Sequence, residues 1–334
     1  MKFFNFLKRF CAFVLGAVFL IGGLFKLMDP VGSGLVMESY LNFLHLGFLR
    51  GGALVFALGF NLIECFVGIA LISGIWVKVV RLITLVLLLF FTFLTALLLI
   101  FNPEMDCGCF GEIVHLTNLQ SFLKNIILLV LWAFAFLPFL KQHPRPLYRK
   151  VVSGVAYFMV FGFAIYSLKN MPILDLTDLR TGTELEEGKL SLLDESGSYA
   201  DDILLHGRTL VISVYNPSRA KSSVISSIRH LASKSRVKTI IAVSGGELPF
   251  ESRDVLSADR KSLLSLNRAN MGVTFISGGQ ISQKWTPSEF IAMSSEDLSQ
   301  ILQTDPTELV IDEVVAGRRI FEVFSMLLIV ILLV

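Results

Sequence analysis

Five long apolar runs, separated by short polar loops, constrain the fold of this chain more than any other feature of its sequence. Each run is close to the ~20 residues that a helix needs to cross the hydrocarbon core of a bilayer. The runs occupy residues 10–25, 52–76, 82–101, 119–140 and 151–168. They predict a membrane α-helical bundle in the first half of the chain.

Charged residues are unevenly distributed along the chain. Only 17% of the residues are charged and 54% are hydrophobic, whereas a soluble domain carries about 25% charge. Residues 169–319 nevertheless have an ordinary soluble composition. We therefore expect a membrane protein with one water-facing domain. The net charge of +2 argues neither for nor against nucleic acid, but no basic stretch is interleaved with aromatic residues, so nucleic acid is not expected as a partner.

Both ends of the chain are also apolar. The N-terminal charges and first apolar run resemble a signal peptide, but Lys26, Asp29 and Pro30 follow in place of a small-residue cleavage site. We therefore expect an uncleaved first membrane helix. At the other end, residues 320–334 are apolar but short for a span. They form either a sixth crossing or a helix that lies at the interface or packs on the bundle.

Lysine and arginine are distributed unequally between the two sides of the predicted bundle. The short loops of one side contain only Arg50, apart from Lys26 and Lys124 at helix ends. The other side collects Lys2, Lys8, Arg9, Lys78, Arg81, Lys141, Arg145, Arg149 and Lys150. The positive-inside rule makes the second side cytoplasmic. Five crossings then place both the loop after the third run and the soluble domain outside. In a bacterium that is the periplasmic side of the inner membrane, where disulfide chemistry is permitted.

The loop after the third apolar run contains the segment Asp106–Gly111, with the sequence DCGCFG. Its cysteines, Cys107 and Cys109, can bridge only across a sharp bend, which Gly108 allows. A bridge that closes so small a ring is strained, and strained bridges tend to be labile. These residues favour a redox pair. A structural staple, a soft-metal site with His115 as a further ligand, and two inert thiols stay open as alternatives.

Glu64 lies near the middle of the second apolar run, where a lone carboxylate is costly unless it is protonated or paired. Lys26 and Lys124 lie near the outer ends of their helices, and helix tilt could bring either of them toward Glu64. The three residues suggest a polar pocket beneath the cysteine loop, holding a proton relay or a quinone headgroup. The alternative is that both lysines extend to the lipid headgroups while Glu64 makes a structural interhelical hydrogen bond.

The soluble segment alternates between strand and helix patterns. The predicted elements are a strand at 209–215, a helix at 222–234, a strand at 237–243, a helix at 260–270, a hairpin over 273–285 and a helix at 295–303. A βαβ unit followed by a hairpin and a helix is the order of the thioredoxin fold. We therefore predict an α/β thioredoxin-like domain outside the cytoplasm.

Four groups of residues together resemble the DoxX/MauE group of small bacterial membrane proteins. They cover residues 1–140, and the Cys-Gly-Cys-Phe-Gly element is the most specific of them. The groups are residues 23–30 (GLFKLMDP), Glu64 with Gly68 and Gly74, the segment Asp106–Gly111, and residues 122–125 (FLKN). The whole chain looks like longer proteins of this group, in which residues such as Met171 to Asp175 (MPILD) introduce a thioredoxin-like domain.

The resemblance implies a role in the maturation of a periplasmic partner, as in methylamine utilisation, or in quinone-linked electron transfer. The soluble domain departs from a working thioredoxin at residues 216–223 (NPSRAKSS), which stand where the Cys-x-x-Cys motif would be. Residues 169–319 contain no cysteine at all. That domain is therefore expected to bind a partner without carrying out dithiol chemistry.

We thus predict an inner-membrane, redox-associated protein in which Cys107 and Cys109 are catalytic. Lys26, Glu64 and Lys124 would line an adjoining pocket, with a quinone as the candidate cofactor. The rival hypothesis is a non-enzymatic membrane scaffold with a purely structural cysteine loop. The predicted domains are a four-helix unit at 1–140, a basic cytoplasmic loop and fifth membrane helix at 141–170, the thioredoxin-like domain at 171–317 and an apolar helix at 318–334.

Overall fold

The chain divides into two compact units in a computed structural model. The first comprises Met1–Lys169 and Phe321–Val334, and the second Asn170–Ile320. The described residues are 2–103, 107–112, 116–137, 146–175, 177–186, 188–194 and 196–333. Four residues named above, Asp106, His115, Lys141 and Arg145, lie outside them. The domain boundaries drawn from the sequence stay predictions.

The first unit is a helical bundle, and five of its described helices are long and apolar enough to cross a membrane. In chain order its elements are α1 (Lys2–Met28), α2 (Pro30–Phe43), a 3₁₀ helix (Gly47–Gly52), α3 (Ala53–Ser73), α4 (Val77–Phe101), β1 (Cys109–Glu112), α5 (Asn118–Phe136) and α6 (Leu147–Lys169). The five spanning helices are α1, α3, α4, α5 and α6, and each coincides with one apolar run of the sequence. The chain is therefore a multi-pass membrane protein, as predicted.

Glycines bring α1 and α3 into close contact. A Cβ atom at Gly23 would lie 2.6 Å from the Sγ atom of Cys65, and one at Gly68 would lie 2.6 Å from a backbone nitrogen of α1. Small residues permit such approaches between membrane helices, where packing rather than the hydrophobic effect holds the helices together. The contact carries Lys26, one turn beyond Gly23, toward Glu64 on α3.

The second unit is built around a five-stranded mixed sheet with the order β4-β3-β2-β5-β6. Its elements are α7 (Asp202–Leu205), β2 (Arg208–Val214), α8 (Ser222–Lys234), β3 (Lys238–Val243), β4 (Val255–Ser257), α9 (Arg260–Leu266), β5 (Gly272–Ser277), β6 (Gln280–Trp285), α10 (Pro287–Ala292) and α11 (Ser295–Gln303). Strand β2 pairs with β3 in parallel and with β5 antiparallel, and β5 pairs antiparallel with β6. The predicted βαβ unit and hairpin are therefore both present, whereas β4 was not predicted.

Helix α9 ends four residues before the sequence pattern predicts. Asn267 leaves the helix with φ −150° and is fully buried. Its Nδ2 atom donates to the carbonyl oxygens of Val273 at 3.2 Å and Trp285 at 3.3 Å. Hydrogen bonds to the hairpin thus replace a further turn of helix.

The last helix, α12 (Pro306–Leu333), is not among the described helices that are long and apolar enough to cross a membrane. Charged side chains near its middle leave an apolar stretch that is short for a span. Within the first unit, the ring of Phe321 lies 6.1 Å from that of Phe25, and the ring of Phe324 stacks 4.4 Å from that of Phe163. These contacts pack the end of α12 on the bundle; a helix that crosses the membrane would make them too, so both alternatives stay predictions.

Candidate functional site

A cavity of about 330 Å³ lies inside the first unit, lined by α1 to α5 and by the cysteine loop. Most of the side chains around it are apolar. The five residues that the sequence proposes for a site all line it: Lys26, Glu64, Cys107, Cys109 and Lys124. The fold thus brings together residues up to 98 positions apart in the sequence; their roles there stay predictions.

Lys26 and Glu64 form a buried ion pair on one side of the cavity. The Nζ atom of Lys26 donates to both carboxylate oxygens of Glu64, at 2.7 and 2.8 Å. Only 4% of Glu64 is exposed, and Lys26 Nζ also lies 5.5 Å from the centre of the Phe91 ring. The pairing removes the cost of a lone carboxylate at this depth. For Lys26, the structure therefore shows a partner inside the bundle in place of extension to the lipid headgroups.

The turn between α1 and α2 fixes the position of Lys26. The Oδ1 atom of Asp29 accepts a hydrogen bond from the backbone N–H of Gly32 at 2.8 Å, which caps α2, and Pro30 is the first residue of that helix. The hydroxyl of Ser33 donates to the carbonyl oxygen of Lys26 at 2.8 Å. These bonds make α2 turn back from α1, so that it forms part of the cavity wall.

Helix α2 also holds the cysteine loop. The hydroxyl of Tyr40 donates to the carbonyl oxygen of Cys107 at 2.9 Å. Gly108 has φ +63°, and a Cβ atom there would lie 2.5 Å from Cγ1 of Val36. Both the backbone conformation and the lack of space therefore require glycine. Gly108 thus adopts the left-handed conformation between the two cysteines.

The two thiols are free in the structure, and their side chains are hydrogen-bonded to each other. Cys107 is buried and Cys109 half-buried. The hydrogen bond from Cys107 lowers the pKa of Cys109 to about 5; the charges of Lys124 and Lys26 and a hydrogen bond from Lys124 act in the same direction, against the effect of burial. The same contact, together with burial, raises the pKa of Cys107. Cys109 is therefore the thiol with thiolate character at neutral pH.

Asn61, in α3 one turn before Glu64, lines the same cavity but carries no predicted role. It is 3% exposed, and its Nδ2 atom has no hydrogen-bond partner among the residues that the structure describes. An unsatisfied buried donor costs about 1–3 kcal/mol. In the sequence, Asn61 can be noticed only because it is a polar residue within an apolar run, and Glu64 interrupts the same run.

A soft-metal site is one of the alternatives that the sequence leaves open for the cysteine loop. In the described part of the chain, no group of three or more His, Cys, Asp or Glu side chains is placed to hold a metal ion. His115, the further ligand of that alternative, lies outside the described residues.

In the second unit, hydrogen bonds hold the loop after β2. Its residues 216–223 stand where a working thioredoxin would have its Cys-x-x-Cys motif. The backbone N–H of Asn216 donates to Oδ1 of Asn270 at 3.0 Å, and Nδ2 of Asn270 donates to the carbonyl oxygen of Asn216 at 3.0 Å. The backbone N–H of Lys221 donates to the sulfur of Met271 at 3.3 Å. The bonds of this loop are thus made within the unit, by groups that cannot exchange thiols.

Residues 4–138 match the sequence profile of the family described as "Methylamine utilisation protein MauE". The matched range contains α1 except for its first two residues, α2 to α5, and all five proposed site residues. The second unit lies outside it. No curated protein sequence matches the chain.

Proposed function

Since its membrane unit matches the profile of the MauE family over residues 4–138, we propose that this protein is an inner-membrane redox protein that exchanges thiols and disulfides with a periplasmic partner. The family connects the unit with methylamine utilisation, and maturation of a partner enzyme is the corresponding role. The observation that carries the proposal is that two free cysteines, Cys107 and Cys109, both line a cavity that also contains two lysines.

In the proposed reaction the Cys107–Cys109 disulfide accepts two electrons and two protons from a partner dithiol. One S–S bond breaks in this protein and one forms in the partner, through a mixed disulfide. Stabilisation of the Cys109 thiolate favours the reduced pair, which makes the disulfide an oxidant. The short ring across Gly108 acts in the same direction, because strain raises the free energy of the bridged form.

A redox titration tests the proposal. Purified protein in lipid nanodiscs is equilibrated in redox buffers and alkylated, and the state of Cys107 and Cys109 is determined by mass spectrometry. We expect the pair to bridge with a midpoint well above the about −300 mV of structural disulfides. A bridge that stays closed below that potential would favour the rival scaffold with a stapled loop. A pair that never bridges would contradict both.

The alkylation rate of Cys109 is expected to depend on pH in an unusual range. Because its pKa is lowered to about 5, the reactive thiolate should persist down to about pH 5, whereas an ordinary thiol loses it below about pH 8.5. In Cys107→Ala the hydrogen bond to Cys109 is lost, so the pH at which the alkylation rate is half-maximal should rise. Cys107→Ser, which keeps an O–H donor, is the matched control with a smaller rise. The rate of reaction with iodoacetamide, measured as a function of pH, gives this midpoint. A wild-type pH midpoint near that of free cysteine would refute the assignment of Cys109 as the thiolate.

We also propose that the cysteine loop and the second unit share the periplasmic face. The support is the concentration of lysine and arginine on the opposite side. In a cysteine-free background, single cysteines at the exposed positions Ser198 and Lys78 are treated in intact cells with a maleimide that enters the periplasm but not the cytoplasm. We expect labelling at Ser198 and none at Lys78. Equal labelling of both would show the orientation to be wrong.

The second unit is proposed to be a thioredoxin-like domain that holds the partner. Support comes from its βαβ unit followed by a hairpin and a helix, with β2 central between β3 and β5. Because residues 169–319 contain no cysteine, any exchange depends on the membrane unit. The domain's contribution is to raise the local concentration of the partner near the cysteine loop.

A further inference from the structure

We infer that the basic end of the membrane unit binds the phosphate group of an anionic phospholipid, and that Arg149 is the residue which holds it. The basic end is the region where α3 ends and where α4 and α6 begin. It carries Lys78 and Arg81 at the start of α4, and Arg149 and Lys150 at the start of α6. The inference goes beyond the proposed function, because it depends neither on the cysteine pair nor on the orientation of the bundle.

Two contacts within the membrane unit bring these helix ends together. Nη1 of Arg149, in α6, donates to the carbonyl oxygen of Ser73, the last residue of α3, at 3.3 Å. The ring of Trp76, in the turn before α4, stacks on that of Tyr157 in α6, with ring centres 6.3 Å apart. The start of α6 therefore lies against the turn that joins α3 to α4, and the basic residues of both segments occupy one end of the bundle.

The basic end has no carboxylate side chain of its own. Within the membrane unit, Asp and Glu occur only in residues 29–64, in residues 104–112 and at residue 322. Glu64 is already paired with Lys26 at 2.7 Å. Glu322 follows Phe321, whose ring packs on Phe25 near the opposite end of α1. The counter-charge of the basic end therefore has to come from outside the protein, and anionic lipid headgroups attract lysine and arginine at a membrane surface.

Arg149 is held in a position that suits a phosphate group. Its side chain is half-buried, and its Nε atom donates to the hydroxyl oxygen of Tyr148 at 3.3 Å. A guanidinium carries five N–H donors, and the bonds to Tyr148 and Ser73 use two of them. The other three have no acceptor among the residues that the structure describes. A fixed guanidinium with several N–H groups left over matches the paired oxygens of a phosphate.

The aromatic pair beside Arg149 indicates that the phosphate belongs to a lipid. Trp76 is 61% exposed and has φ +46°, an unusual conformation for a bulky residue. Tryptophan and tyrosine are enriched at the boundary between water and hydrocarbon. Tyr157, on which Trp76 stacks, lies eight residues after Arg149 in α6, which is about 12 Å along the helix. A lipid whose phosphate is bound to Arg149 can therefore lay its acyl chains along these two rings.

Native mass spectrometry of the purified full chain tests the inference. The protein in detergent micelles is titrated with phosphatidylglycerol or with phosphatidylcholine of the same acyl chains. We expect phosphatidylglycerol to bind about tenfold more tightly, and added salt to reduce the difference. Arg149→Gln should weaken binding of phosphatidylglycerol about fivefold and leave that of phosphatidylcholine unchanged. Arg149→Lys, which keeps the charge but not the planar group, should lie between Arg149→Gln and the wild type.

Arg50→Gln is the matched control. Arg50 is also an exposed arginine of the membrane unit, but it already has a counter-charge in its ion pair with Glu38. Its replacement should leave the binding of phosphatidylglycerol within about twofold of wild type. An equal loss in Arg50→Gln and Arg149→Gln would overturn the inference, because binding would then depend on total charge and not on this site.

The exposed lysines keep the test decisive if Arg149→Gln does not fold, since that change also removes the bond to Ser73. Lys78→Gln/Lys150→Gln alters two exposed side chains and should melt like wild type while binding phosphatidylglycerol at least about fivefold more weakly. The inference is overturned if neither variant binds more weakly, or if the wild type binds both lipids equally. Displacement of phosphatidylglycerol by millimolar inorganic phosphate would also overturn it, because the site would then take a free anion.

Discussion

Replacing Cys107 and Cys109 together by serine is expected to abolish thiol exchange completely while the helix bundle stays folded. The loss is complete because the two remaining cysteines, Cys11 and Cys65, are buried in α1 and α3. The bundle should persist because close packing, such as that of Gly23 on α3, involves neither loop thiol. Oxidation of a dithiol peptide measures the first effect, and the melting temperature measures the second.

Cys11→Ala is the matched control for this variant. Cys11 is 5% exposed and does not line the cavity, so its replacement should leave exchange unchanged. If the double serine variant kept its exchange activity, the assignment of Cys107 and Cys109 as the working pair would be wrong. If it lost expression together with activity, the cysteine loop would be a staple and the scaffold hypothesis would be favoured.

Glu64→Leu is expected to destabilise the membrane unit strongly. It leaves the ammonium group of Lys26 buried without its carboxylate, and breaking a buried ion pair from one side costs about 3–5 kcal/mol. The double variant Lys26→Met/Glu64→Leu should recover most of that loss, because two apolar side chains of similar size can replace a buried pair at little cost. The free energy of unfolding in bilayers or bicelles measures both effects.

The double variant also separates structure from proton transfer. If the pair only holds α1 against α3, the recovered variant should exchange thiols normally. If the pair carries protons, exchange should fall although stability has returned, and Glu64→Gln should behave likewise with a smaller loss of stability. No loss of stability in Glu64→Leu would mean that Lys26 and Glu64 do not form the buried pair.

The sequence by itself determined the elements whose causes are local. The five spanning helices could be predicted because the bilayer core imposes about 20 apolar residues on each of them. Helix α8 was predicted with the bounds it has, Ser222–Lys234, because its apolar residues recur at helical spacing. The left-handed conformation of Gly108 is likewise one that this residue type permits. These features depend on neighbours within a few residues.

Other features of the second unit depend on residues far apart in the sequence, and no local pattern contains them. Strand β4 has only three residues, and its pairing with β3 makes it a strand. Lys284, which looks like a solvent-facing strand residue, is buried with its Nζ atom 2.5 Å from Oδ2 of Asp175. That contact joins residues 109 positions apart in the sequence.

The arrangement within the cavity was decided only by tertiary structure. The sequence indicated that Glu64 needs a partner, but Lys26 and Lys124 both lie near helix ends and were equally suitable. Close packing at Gly23 brings Lys26 to Glu64, whereas Lys124, on α5, hydrogen-bonds to Cys109. Asn61 acquired significance in the same way. The fold determines whether a polar residue in an apolar run has a hydrogen-bond or ion-pair partner within reach. Its role can therefore be inferred only from the tertiary structure.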